Sequence, residues 1–338
     1  MGKHYQAQTR DTIVSEEIGS STLIKAALQP SADRFDFDLD NALSAIVSVR
    51  TRVPDDAFTA QILGTERTGH GVRIDSSGLV LTIGYIIAEA SEIWLIGANG
   101  QAVAGHVVGY DYETGFGLVQ PLGTLDLPIL ECGDSDLIDI GDDVIIAGFG
   151  GVTQSLTAQV AAKREFAGYW EYVLDEALFT SPPHPNWGGA ALITASGQLG
   201  GIGSLYVENV SNDFDIGNMI VPINLLKPIL SEMLSYGTRL TPPRPWLGLF
   251  VTETPENLVV AGVLDGGPAE QADVRAGDVV IGVAGERTRN LADFFRRIWA
   301  FGDAGSEIPL VIFRDGAAFD IRVPSIDRRA RFKAPELH

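Results

Sequence analysis

The chain has 338 residues, 45% of them apolar and 20% charged, which suits two or three globular domains and excludes a disordered or collagen-like protein. Acidic residues outnumber basic ones 44 to 24, a net charge of −20 that repels phosphate backbones and argues against nucleic acid as a partner. The single cysteine, Cys132, excludes a disulfide framework and a multi-cysteine metal site, and reads as a small buried hydrophobe.

The first twenty residues lack the apolar stretch of a secretory leader, and nowhere do 18 uncharged apolar residues run together. The expectation is a chain that does not insert into membranes. It is cytoplasmic if residue 1 is the native start, and periplasmic if a leader has been removed. Residues 1–40 form an N-terminal arm with Pro30 and the acidic run Asp36 to Asp40. Phe35 and Phe37 in that arm are expected to tuck against their own domain, with a neighbouring subunit as the other option.

Residues 41–236 hold short β-rich runs (SAIVSVRT, LVLTIGYII, DDVIIAGFG, MIVPI) separated by turn signals, the pattern of barrels or a sandwich. Asp75-Ser76-Ser77-Gly78 and Asn99-Gly100 predict tight hairpins, because Asn and Gly accept positive φ. Leu225, Leu226, Ile229, Leu230, Met233 and Leu234 fall on one helical stripe over 223–236, stopped by Gly237, with Pro228 blurring its start. The proline-rich stretch 237–245 reads as a linker. Residues 246–325 alternate strands with two helices, the first starting at Pro268 and the second capped by Asn290 with Phe294, Phe295 and Ile298 on its apolar face. This is a compact α+β module, followed by a tail over 326–338.

Taken together, GVRIDSSGLVLT (71–82), VVGYDYETGFGLV (107–119), LECGDSDLIDIGDDVIIAGFG (130–150), PNWGGAALITASGQLGGIGS (185–204), MIVPINLLKPIL (219–230) and GVLDGGPAEQADVRAGDVVIGVAGE (262–286) resemble the HtrA/Deg family of bacterial quality-control serine proteases. The resemblance spans about 41–325. It implies a mostly β fold: a trypsin/chymotrypsin-like double β-barrel followed by a PDZ domain. On the family's motifs the catalytic histidine, aspartate and serine positions fall on Tyr85, Gly115 and Trp187, and an oxyanion-hole position falls on Pro185, which has no N–H. An indole has no lone pair for attack, and a phenol is a poor base at neutral pH. The resemblance therefore implies a catalytically inactive homologue, a pseudoprotease and not an enzyme. Trp187 is expected to fill the space a serine and histidine leave, with an exposed aromatic platform as the alternative and Tyr85 beside it.

Displaced groups near His184, with Ser181 three residues before it, would be needed for an active serine-type endopeptidase. His184 reads instead as a turn residue meeting solvent, and His70 and His106 as surface or strand-edge residues. No cofactor or metal is expected, since no histidine pair has ligand spacing. Trp246, Leu247, Gly248 and Leu249 resemble the PDZ loop that receives a peptide carboxylate, and Ile298 is a candidate for the pocket behind it. The implied function is a peptide-binding or assembly scaffold acting through the PDZ domain on protein C-termini or extended segments, in a homotrimer if the family habit holds. The alternatives are the displaced-site endopeptidase and a chaperone-like holdase.

Overall fold

The computed structural model describes residues 23–333; most of the arm, His4 and His338 lie outside them. Six strands, β1 (Ile46–Arg52), β2 (Glu66–Arg73), β3 (Val80–Ile83), β4 (Glu92–Ile96), β5 (Ala102–Tyr110) and β6 (Phe116–Pro121), close an antiparallel barrel in the order β1-β2-β3-β6-β5-β4. A second barrel, in the order β10-β11-β12-β9-β8-β7, is built from β7 (Asp143–Ala147), β8 (Ser155–Gly168), β9 (Tyr172–Ser181), β10 (Ala191–Ile193), β11 (Leu199–Glu208) and β12 (Ile216–Pro222). Closure leaves neither sheet an open edge. Residues of both barrels, Val49, Leu81 and Phe116 with Ile145, Phe179 and Ile202, belong to one buried cluster.

The hairpin chemistry read from sequence is present. Asp75 accepts hydrogen bonds from the Ser77 hydroxyl and the Leu79 N–H while Gly78 takes φ 87°, and Asn99 accepts from Gln101 N–H beside Gly100 at φ 79°. The arm's two aromatics face each other at 5.3 Å, and Phe37 packs on Gly197, where a Cβ would come within 2.5 Å of its ring. They serve their own domain.

The single helix expected over 223–236 is two pieces, a 3₁₀ turn at Ile223–Leu225 and a helix at Leu230–Tyr236. Pro228 sits between them; it has no N–H to donate and its ring crowds the preceding turn, so the helix restarts after it. Gly237 ends the helix at φ 75°, donating to the Met233 carbonyl at 2.9 Å.

The C-terminal sheet contains β13 (Leu249–Glu253), β14 (Leu258–Val263), β15 (Val279–Val283), β16 (Glu286–Arg287), β17 (Glu307–Arg314) and β18 (Ala317–Pro324), ordered β13-β14-β15-β17-β18 with β16 on β15. Asn290 caps the helix Leu291–Ala300 by accepting from Asp293 N–H, and Phe294, Phe295 and Ile298 are fully buried beneath it.

Three ties bind this module to the barrels. Arg239 grips Asp111 through two bonds of 2.7 and 2.8 Å and reaches Glu113 at 2.9 Å, where Arg244 also bonds. The chain after 325 pairs Ile326 with Trp246 and seats Phe332 against Phe58 and Tyr112. The long β8–β9 hairpin reaches the C-terminal module, so that Val173 joins its buried cluster.

Candidate functional site

The cleft between the barrels collects the positions singled out in the sequence. Tyr85 sits on the short helix Gly84–Ile87 directly after β3, Gly115 immediately precedes β6, and Trp187 lies in the loop entering β10. Gly84 N–H bonds to the Gly115 carbonyl at 2.7 Å, and a Cβ on Gly188 would lie 2.9 Å from the Tyr85 oxygen, so all three positions are neighbours. Gly115 takes φ 85°, a left-handed conformation in which any side chain is strained.

The Tyr85 hydroxyl donates to the Ser204 carbonyl at 2.8 Å. Burial pushes its ionisation well above the ordinary tyrosine value, although the Trp187 indole donates toward it. The expected buried plug is corrected. The phenol spans the cleft, and Trp187 is half-buried at the rim with its ring 5.7 Å from that of Tyr206, itself 41% exposed. Pro185 is exposed and lacks an N–H to donate.

The histidine expectations also need correction. His184 meets no solvent: it is fully buried, Asn186 N–H donates to its Nδ1 at 3.1 Å, and Nε2 faces the Gln154 carbonyl at 2.9 Å. An acceptor role for Nδ1 puts the proton on Nε2, and both nitrogens are taken. The turn geometry after β9 draws it inward, since its own N–H bonds to the Asn218 side chain at 2.6 Å. His70 is half-buried on β2 rather than free in solvent. Its ring stands edge-on to His184 at 6.2 Å, and Nδ1 accepts from Phe149 N–H at 3.0 Å, which leaves the proton on the buried Nε2, facing the Asn186 backbone. Burial, reinforced by His184, drops the His70 pKa to about 3, and burial lowers that of His184 as well. The Ser181 hydroxyl donates to the Ile216 carbonyl, away from both rings. His106 is exposed on β5. Among the described residues no group of three His, Cys, Asp or Glu has metal-holding geometry.

A second site lies at the start of β13. Gly248 turns at φ 75°, and the N–H groups of Leu247, Gly248 and Leu249 all point at one oxygen, Oε1 of Glu171, at 3.2, 2.8 and 3.0 Å. Leu247 N–H also reaches Oε2 at 3.1 Å. Consecutive amides converging on one point make an anion-binding concavity. Burial raises the Glu171 pKa to about 7 against the opposing pull of these amides and of Arg328. Ile298 lies in the buried cluster with Leu247, Leu249 and Val173, and Trp246 is buried with its ring edge-on to Phe58 at 6.0 Å.

Glu171 escaped the sequence reading. Its local signal was an acid in a run of aromatics, Tyr169-Trp170-Glu171-Tyr172, at a turn between two long apolar strands. At φ 62° it occupies a backbone region unusual for glutamate.

Residues 69–202 match the family model of a trypsin-like peptidase domain, and 259–314 that of a PDZ domain. Over 265 residues the chain is 27% identical to a probable periplasmic serine endoprotease, DegP-like, of Pseudomonas fluorescens, covering 73% of this chain and 54% of that one. It is 26% identical over 274 residues to the periplasmic serine endoprotease DegP of Salmonella typhimurium, covering 75% and 56%. The chain thus spans about half the length of these curated relatives. Among solved structures, the HtrA-type protease AlgW with a tripeptide superimposes with a TM-score of 0.50 at 23% identity, covering 88% of this chain and 97% of that one, a likeness of fold. The double barrel followed by a PDZ domain is therefore the fold. On enzyme status the comparisons correct the sequence reading: the expectation of a non-enzyme is overturned by relatives that are, by name, serine endoproteases. They are also periplasmic by name, and among the described residues no helix is long and apolar enough to cross a membrane.

Proposed function

We propose that this chain, an HtrA/DegP-family protein with a trypsin-like domain and a PDZ domain, engages polypeptides by receiving a carboxylate in the loop Leu247–Leu249. One observation carries the reading: three successive amides of that loop already hold a carboxylate oxygen within 3.2 Å. Gly248 is what lets the backbone fold back far enough for the amides to converge. β13 is the edge strand of its sheet, the place where an extended segment adds by main-chain bonding, and the apolar floor of Leu249, Phe295 and Ile298 takes a side chain beside it. The tripeptide in the related AlgW structure supports the same direction.

The test is a peptide array probed with the wild-type protein and Gly248→Glu. A carboxylate planted in the loop repels the ligand's, so the variant is expected to lose capture of peptides with free C-termini. Equal capture by both proteins removes the assignment.

The relatives' names favour a second reading, that the chain cleaves polypeptides as a serine-type endopeptidase in the periplasm. This reading rests on those names, because in both His70 and His184 Nδ1 accepts a backbone N–H and Nε2 therefore carries the proton, which leaves neither imidazole a free lone pair for a general base. Turnover of a fluorogenic casein with and without a fluorophosphonate decides it. Inhibitor-sensitive cleavage supports the reading, and absence of turnover from purified protein rejects it. Assembly as a homotrimer is measured by light scattering of the same sample.

A further inference from the structure

The carboxylate in the PDZ loop belongs to the chain itself. Glu171 is the tip of the β8–β9 hairpin, and the surrounding contacts follow the pattern a bound segment needs. Val251 N–H on β13 donates to the Tyr169 carbonyl at 2.9 Å, a main-chain bond of the kind strand addition makes. The Tyr169 ring lies 6.0 Å from that of Phe250. Val173, two residues beyond the carboxylate, is buried with Leu247, Leu249, Phe294, Phe295 and Ile298. From the helix that forms the other wall, Arg296 forks to Glu165 on β8 and Asp175 on β9 and clamps both strands. Carboxylate, edge-strand bond and buried aliphatic side chain are the three features by which a peptide C-terminus would be recognised.

We propose that the hairpin tip is a built-in competitor, with Glu171 standing for a terminal carboxylate and Val173 for a terminal aliphatic side chain, so that a free C-terminus binds only by displacing it. The inference rests on the carboxylate-receiving role given above to Leu247–Leu249. Its consequence is an apparent affinity lowered by the fraction of molecules in which the hairpin has withdrawn. It also commits to a ligand: a peptide with a free α-carboxylate and a branched aliphatic last residue, since that is the chemistry the tip reproduces.

The experiment uses the whole chain and two pools of synthetic octapeptides ending in valine, one with a free carboxylate and one amidated, read by fluorescence polarisation. The proteins are wild type, Glu171→Ala, Glu171→Gln and Glu171→Ala with Gly248→Glu, each first checked by thermal melting. Glu171→Ala is expected to bind the free-carboxylate pool about tenfold or more tightly than wild type, with Glu171→Gln between them and no gain for the amidated pool. Adding Gly248→Glu is expected to cancel the gain. If the single and wild-type proteins bind equally while Gly248→Glu still abolishes binding, the competitor is refuted and the loop assignment survives. If Gly248→Glu changes nothing, the loop assignment fails, and the competitor with it. Hydrogen exchange at residues 247–249 supplies the readout that needs no peptide: these amides are expected to exchange faster in Glu171→Ala, and unchanged protection overturns the proposal.

Discussion

Glu171 Oε1 accepts the Gly248 N–H at 2.8 Å across the boundary between the second barrel and the PDZ domain. The carboxyl group in that contact titrates at about 7, above its ordinary 4.5, because burial outweighs the stabilising amides and the Arg328 charge. A raised value means that the closed contact holds a proton which the opened, solvated carboxyl would release. The contribution is complete below about 4.5 and is lost as the pH rises through about 7. Binding of free-carboxylate octapeptides is therefore expected to tighten from pH 5 to pH 8 in wild type, with the dependence flattened in Glu171→Gln.

The histidine pair in the cleft has the opposite sign. His70 and His184 bind protons less readily folded than unfolded, so their contribution is present above about 6.5 and is lost as the pH falls below it toward 3. Each such group removes up to about 1.4 kcal/mol per pH unit below the ordinary histidine value. Urea unfolding between pH 7 and pH 5 is expected to show falling stability, with a smaller slope in His70→Gln. An unchanged slope would mean that His70 is solvated.

Arg239 and Asp111 form a nearly buried bidentate pair, with Asp111 only 2% exposed. Deleting one partner strands the other charge, although Thr114 still donates to Asp111 through its N–H and hydroxyl. Arg239→Leu is expected to cost about 3 kcal/mol by denaturant titration. Asp111→Asn combined with Arg239→Leu is expected to cost less than the sum of the two single changes.

Gly189 admits no side chain. Its φ is 78°, and a Cβ would stand 1.9 Å from the His70 carbonyl oxygen. Gly189→Ala is expected to destabilise the barrels by about 3 kcal/mol or more, read as a lowered melting temperature, whereas Gly277→Ala, with φ 92° and open space around it, meets strain alone and is expected to cost less.

Local chemistry was legible in the sequence wherever it was decided by neighbours along the chain. The Asp75 and Asn99 turns, the Asn290 cap and the Pro268 start follow from side-chain donors and fixed torsions within a few residues, and they stand as read. The stripe over 223–236 becomes regular helix only from Leu230, after the Pro228 that blurs its start, because apolar spacing does not show where the missing amide lets the helix begin. Nothing near His184 or His70 along the chain signals that they turn inward, because their partners, Asn218, Gln154 and Phe149, come from other strands and loops. Glu171 was missed for the same reason. The amides that hold it lie 76 to 78 residues along the chain, and only the fold brings them to its carboxylate.

The most direct measurement of the central claim follows the backbone amide resonances of Leu247, Gly248 and Leu249 in Glu171→Ala as the free-carboxylate octapeptides are titrated in. Saturable shifts at those three amides, absent with the amidated pool, are the predicted result. Shifts confined to other residues, or equal responses to both pools, would contradict the assignment of this loop as the place where the protein takes hold of a polypeptide end.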